Sequence, residues 1–340
     1  MKKEILNMKE TEILERYLRG ERDFRGIDLT AANLIGAKLI AANLSGSNLK
    51  EASLARAYLE RCFMLEANLN GAFLYGTNLN YAKLRDSCLI EADLTKADLS
   101  GAQLHKANLR GAKLSGAVMS WVTLYRANLP GVNLCGANLN GINLRSANLE
   151  KANLNWANLT GARLSGANLR GAQLNGVKLE KAFLNGLTLE AIDFSSLELS
   201  EIKLSGAKMA GANLQGTNLK DSQMRFIRLD EANLQQANLQ GSNIRGGQFI
   251  KANLMKADLQ ECDLRNADLS NTNLNLANLR GADLTGANLR GAYLWGANLD
   301  GANLENADLR DASFRDATLN GAILNGAILT GAIMPDGRIR

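Results

Sequence analysis

The sequence holds one histidine, two prolines and four cysteines among 340 residues, and aromatic residues make up only 5%. Each scarcity closes a route. His105 is the sole imidazole, it stands one place after a regularly recurring leucine, and no Ser/His/Asp set surrounds it. No CxxC, HExxH or phosphate-binding Walker loop occurs, and Cys62, Cys88, Cys135 and Cys262 lack metal-ligand spacing. These absences predict a protein that is not an enzyme and binds no cofactor or metal. No apolar run reaches the length of a membrane-spanning helix, and no N-terminal stretch has signal-peptide character, so the expected location is cytoplasmic. Charge of one sign is also missing. The formal net charge is +5, with acidic and basic residues interspersed, which argues against a nucleic-acid stripe.

What the sequence does have is a beat of five. From Phe24 to Met334 every fifth residue is Leu, Met, Phe or Ile, as in "GADLTGANLRGAYLWGANLDGANL" over 281–304. A helix does not suit this period, because five residues rotate a side chain by roughly 140° and no apolar stripe forms. A long flat strand fails too, since an odd period sends successive leucines to opposite faces. A strand of about three residues followed by a turn does fit. The residue two before the leucine shares its face and is small, as at Ala32, Ala102 and Ala287; the one between points outward and is polar, as at Asn33, Asp93 and Asn128. Glycine is frequent two places after the leucine, where a tight corner needs it. A chain that turns at every repeat winds into a solenoid with leucines stacked inside, and its outward asparagines are placed to form ladders.

The A-[DN]-L-x-x pattern, as in "ADLTGANLRG" and "ANLEKANLNW", resembles the pentapeptide-repeat family over residues 22–336. The resemblance implies an all-β fold, a right-handed quadrilateral parallel β-helix of about 16 coils. With four repeats per coil and strands roughly 4.8 Å apart, the solenoid extends on the order of 75 Å. The expected organisation is a capping segment at 1–21, the β-helix at 22–336 and a tail at 337–340. In the capping segment a short helix is expected over roughly 10–19, with Thr11 as N-cap, Leu14, Tyr17 and Leu18 on one face and Gly20 as its stop. This stretch and the closing "GAIMPDGRIR" resemble cyanobacterial members of the family, one of which takes part in heterocyst patterning. Cys62 and Cys262 replace the small inward residue, and all four cysteines are expected to be reduced thiols.

Departures from the pattern are the informative positions. On a twenty-residue coil, Tyr58 and Phe63 flank one corner, Tyr81 sits at that corner one coil later, and His105, Trp121 and Tyr125 follow, giving an expected aromatic stripe of about 15 Å along one edge. Arg56, Arg61, Lys83, Arg85 and Arg126 lie near it. Tyr, Trp and Arg dominate protein-binding hot spots, whereas single surface aromatics are ordinary; alignment over successive coils favours a protein-interaction site. In the last coil the outward residue becomes Ile323, Ile328 and Ile333. Either the tail folds back over them, or they form a contact end through which two copies pair. Over 186–206 the small inward slot becomes Leu187, Ile192, Leu197 and Ile202, and this extra volume predicts a bulge or kink.

The sequence thus supports a non-enzymatic scaffold or regulator that binds an unidentified protein through the outer faces of a rigid solenoid. The family implies an alternative, mimicry of DNA in the protection of DNA gyrase, but that role needs a strongly negative surface. A small-molecule site would need a lumen that packed leucines do not leave. Ice binding would need regular Thr rows in place of the outward Asn and Asp.

Overall fold

The computed structural model describes residues 6–7 through their backbone and residues 10–340 in full. The remainder of the expected capping segment lies outside the described residues. The described chain forms two compact units, one running to Lys178 and the other Leu179–Arg340.

Each unit is a stack of four-sided coils, part of a right-handed quadrilateral parallel β-helix. The four sides follow from register. Within each unit, outward residues pair in parallel with the one twenty positions on, as Asn43 with Phe63 and Asn213 with Asn233, so a coil holds four repeats of five. The central N–H donates to the coil ahead, as Leu44 to Phe63 O at 2.7 Å. The outward N–H donates to the coil behind, as Phe63 to Ala42 O at 2.9 Å. Leucines and alanines fill the interior; Leu104, Ala107 and Leu109 are fully buried. Inward hydroxyls and thiols donate to backbone carbonyls, of the coil behind for Thr77 Oγ1 to Leu54 O at 2.7 Å and Cys62 Sγ to Leu39 O at 2.8 Å, and of their own turn for Ser87 to Leu84 O and Thr272 to Leu269 O at 2.6 Å.

Corners explain the repeat's remaining preferences. The residue two after each leucine has φ near +60°, whether Gly111 (+66°) or Lys106 (+56°), and the leucine carbonyl accepts the N–H three residues on, as Ala32 to Leu29 O at 3.0 Å. A type II turn requires this geometry at its third residue. L-residues there cost about 1–2 kcal/mol each, and a β-branched side chain would fare worse; no Val, Ile or Thr occupies the position. The outward Asn or Asp stabilises the same corner, since its carboxamide or carboxylate oxygen accepts an N–H two residues on, as Asn43 Oδ1 from Ser45 at 3.2 Å. The expected ladders are present as well: Asn128, Asn148 and Asn168 each donate through Nδ2 to the residue twenty behind, at 3.1–3.2 Å.

At the start of the first unit, α1 (Glu10–Leu18) caps the first coil. Gly20 is its stop, with φ +97°; Gly20 N–H donates to Tyr17 O and Glu21 N–H to Arg16 O, a Schellman arrangement. Two expectations need correction. Thr11 lies inside the helix rather than capping it, and Leu18 is 84% exposed while Ile13 is the buried anchor. Docking decides the face: Glu10 Oε1 accepts the Asn33 N–H at 3.0 Å, and Tyr17 Oη donates to Ile40 O at 3.1 Å. β1 (Leu6–Asn7) pairs in parallel with β2 (Ile27–Asp28).

In the second unit the stretch over 186–206 keeps the ladder with the coil ahead, where Leu189 N–H meets Lys208 O at 2.7 Å and Phe194 N–H meets Asn213 O at 2.8 Å. Among the described residues, Phe183, Thr188, Asp193 and Glu198 pair only with the residue twenty ahead, so the parallel ladder is interrupted at the coil where the bulge or kink is expected. The tail folds back as an antiparallel pair, Ile333 with Ile339, and Arg340 N–H donates to Ala332 O.

Burial pushes the Cys62 and Cys262 thiols up to about 12, so little thiolate forms at neutral pH. Cys88 and Cys135 are half-buried. In a thiol-exchange assay at pH 8, Cys88 and Cys135 are expected to react in the folded protein, and Cys62 and Cys262 only after denaturant is added. Four equally fast thiols in the native state would contradict this burial.

Candidate functional site

The aromatic residues of the first unit sit where corners and outward positions place them. Tyr81 and Trp121 occupy the corner residue with positive φ (+57° and +62°), a backbone that swings the side chain along the stack towards the next coil. Each finds a glycine there. A Cβ on Gly101 would lie 2.6 Å from the Tyr81 ring, and one on Gly141 would lie 2.6 Å from the Trp121 indole. The rings therefore lie over bare backbone. Trp156 over Gly176, and in the second unit Phe226 over Gly246 and Leu276 over Gly296, repeat the arrangement.

Phe63 and Tyr81 meet in one open depression of about 560 Å³, lined by Ala41, Arg61, Phe63, Tyr81, Lys83, Gly101 and Gln103. Its construction is a column of corner residues that runs small, large, large, small: Ala41, Arg61, Tyr81, Gly101. The neighbouring outward column supplies Phe63, Lys83 and Gln103. The Lys83 ammonium stands 4.5 Å from the Phe63 ring centroid. A second hollow of about 240 Å³ shares Ala41 and Phe63 and extends to Arg22, Asp23 and Asn43. Asp23 is ionised there, its carboxyl held below the usual range by Arg25, whose guanidinium pairs with it at 2.6 Å and offsets its charge.

The structure redistributes the expected single stripe. Tyr81 and Trp121 share one corner. His105 and Tyr125 belong to the next corner, across the face that bears Phe63, Lys83, Gln103 and Thr123, because five residues carry the chain from one corner to the next. Tyr58 lies on the adjoining face, with Lys38 5.9 Å from its ring centroid. Tyr81 and Trp121 are 60% and 71% exposed; His105 and Tyr125 are half-buried. Arg126 and Arg145 lie 5.0 and 5.8 Å from the Tyr125 ring. The arrangement is thus one face with two aromatic rims. Among residues not singled out in the sequence, Ala41 and Gly101 make room for the depression, and Phe73 stacks with Tyr75 at 6.2 Å. The glycine partners were legible as a spacing of twenty after each corner aromatic.

At the far end of the second unit, Ile323 and Ile328 remain 45% and 47% exposed, while the folded-back tail half-covers Ile333. Among the described residues no group of three or more His, Cys, Asp or Glu is placed to hold a metal. Among the described residues no helix is long and apolar enough to cross a membrane.

Comparison with known proteins follows the geometry. The family described as pentapeptide repeats matches in segments between residues 27 and 334. The chain is 30% identical to HetL, a pentapeptide repeat protein involved in heterocyst differentiation regulation from the cyanobacterium Nostoc, over 98% of this chain and all of that one, with a TM-score of 0.22. It is 25% identical to Rfr23 from the cyanobacterium Cyanothece, over 43% of this chain and 85% of that one, with a TM-score of 0.18. It is 18% identical to QnrB1, a plasmid-mediated fluoroquinolone resistance protein, over 60% of this chain and 88% of that one, with a TM-score of 0.31. Among curated proteins none matches.

Proposed function

The chain belongs to the pentapeptide-repeat family, and from that premise we propose that it is a non-enzymatic protein-binding scaffold or regulator. It acts through the two-rimmed aromatic face of its first unit. The observation that carries this reading is the pairing of Tyr81 and Trp121 with Gly101 and Gly141. Rings laid over bare backbone are held in place while still exposed, so a partner meets pre-positioned aromatic surface and little side-chain freedom is lost on binding. The role in heterocyst differentiation regulation borne by the 30% identical relative supports regulation over catalysis. Imitation of DNA is the weaker reading. The net charge is +5, and on this face Arg61, Lys83, Arg126 and Arg145 stand beside Asp23, Glu66 and Asp86 in place of a strongly negative surface.

Affinity capture from the source organism's lysate tests the reading, with wild type beside the Tyr81→Asp/Trp121→Asp double variant. Both substitutions are at exposed corner positions, so equal circular dichroism spectra are expected. A partner is expected with wild type and at least tenfold less of it with the variant, since loss of two hot-spot aromatics typically costs more than about 1.4 kcal/mol. Equal capture by both folded proteins would remove the aromatic face from the reading.

A further inference from the structure

The charge around the depression is one-sided, although the chain as a whole is mixed. Arg61 and Lys83 line it and Arg22 borders it. None of the three has an ion-pair partner among the described residues, whereas the nearby acids are engaged. Asp23 pairs with Arg25, Asp86 with Arg85 at 3.3 Å, and Glu60 accepts a hydrogen bond from Asn78 Nδ2. Arg22 stacks 3.7 Å from the Tyr17 ring centroid and donates to the Tyr17 and Glu21 carbonyls, so it keeps its full positive charge. Further along the face, Arg126 and Arg145 flank Tyr125. The outward column between the two rims runs Asp23, Asn43, Phe63, Lys83, Gln103, Thr123, Asn143, and its one carboxylate, Asp23, is paired with Arg25.

An apolar recess rimmed by uncompensated cations has a definite complement. We propose that the depression between Ala41 and Gln103 receives an aromatic or large apolar side chain carried on an acidic segment of the partner protein. The segment's carboxylates face Arg22, Arg61 and Lys83. This rests on the protein-binding reading above and narrows it to a partner chemistry. The anchor packs between the Phe63 and Tyr81 rings over Gly101. The carboxylates supply steering and register, which makes association salt-sensitive. A neutral apolar segment would leave the cations desolvated without partners, and a basic one would be repelled.

The test uses the full chain and a fluorescein-labelled synthetic peptide with one tryptophan centred among aspartates and glutamates. Comparators are the same peptide with alanine for tryptophan, the same peptide with lysine for every acid, and a short DNA duplex. Fluorescence anisotropy is expected to show binding of the acidic tryptophan peptide that weakens about tenfold or more with the alanine peptide and with added salt, and disappears with the basic peptide. Arg61→Glu/Lys83→Glu, at an exposed and a half-buried outward site, is expected to lose at least tenfold, while Lys113→Glu on the opposite face changes nothing. No binding of the acidic peptide, equal binding by the charge-reversed protein, or duplex DNA binding as tightly as the peptide would each overturn the proposal. The two readings fail separately. A lysate partner lost with Tyr81→Asp/Trp121→Asp but kept with Arg61→Glu/Lys83→Glu leaves the scaffold standing and removes the acidic segment.

Discussion

A chain lacking Asn68 alone is expected not to fold its first unit, whereas a chain lacking the five residues 67–71 is expected to fold and to lose its site. The difference follows from the period. Removing one residue advances everything after it by one place. Asn70, Tyr75, Asn80 and Arg85 then stand where buried leucines stood, and Leu74, Leu79 and Leu84 move to the outside. A local repair would have to stretch two residues across a side that three now span. Burying one such polar side chain without partners costs several kcal/mol, and the frame repeats the error at each following side. Loss of the cooperative thermal transition, or a drop of more than about 10 °C, is expected by circular dichroism. Removing 67–71 keeps every leucine inside and every corner at a corner. The turn pairs at the junction also remain acceptable: Glu51 then faces Gly76 in place of Gly71, and Tyr81 still precedes Gly101 by twenty. Its melting temperature is expected within about 4 °C of wild type, a change of roughly 1 kcal/mol. Yet the outer surface rotates by one side beyond the junction. Phe63 then neighbours Cys88 in place of Lys83, and Arg61 neighbours Asp86 in place of Tyr81, so the depression is dismantled on an intact fold. Capture of the partner is expected to fall at least tenfold. A folded deletion that still captures it would place the binding surface elsewhere.

That contrast also marks what the sequence made legible. The alternation of Ala, Asn and Leu within a strand triplet is a local pattern. It predicts the buried pair, the outward polar residue and the corner without reference to any other coil. The number of sides is not local, because any whole number of five-residue repeats per coil keeps leucines inside. The i to i+20 pairing closes that question through backbone hydrogen bonds that composition does not reveal. One sequence signal does carry it: Tyr81, Trp121, Trp156, Phe226 and Leu276 are each followed by glycine twenty residues on. The aromatic stripe was recognisable as a cluster but misassigned to one edge, since His105 is one corner beyond Gly101. The capping helix was recognisable from its period and from Gly20. Its buried face was not, because Ile13 is selected over Leu18 by where Glu10 and Tyr17 find hydrogen-bond partners on the coil. The interruption of the ladder at Phe183, Thr188, Asp193 and Glu198 was legible as four large inward residues in one coil, Leu187, Ile192, Leu197 and Ile202.

Gly141→Ala is expected to destabilise the first unit more than Gly131→Ala, although both glycines have φ of about +65° and occupy equivalent corner positions two corners apart. Adding a Cβ at this φ costs about 1 kcal/mol in either case. Around Gly131 a Cβ meets nothing within 4 Å, whereas at Gly141 it would stand 2.6 Å from Trp121 Cε3 and 2.7 Å from Cζ3. A ring atom of a planar indole cannot yield by bending, so the whole side chain must leave its seat or the corner must shift. Forcing such a shift costs a further 1–3 kcal/mol, about what overpacking costs in a core. Displacement is visible directly, because the indole loses its contact with the backbone and its fluorescence moves to longer wavelength. A double-mutant cycle isolates the contact. In a Trp121→Ala background the two glycine substitutions are expected to cost the same within about 0.5 kcal/mol in urea unfolding. Equal costs in the wild-type background would mean that Trp121 is not seated over Gly141. The aromatic rim would then be a mobile surface feature, and the pre-positioning on which the proposed partner binding rests would be lost with it. Unequal costs that vanish without the indole tie the stability of the corner to the geometry of the binding face. The same glycine that permits the turn also provides the floor on which the Trp121 indole rests.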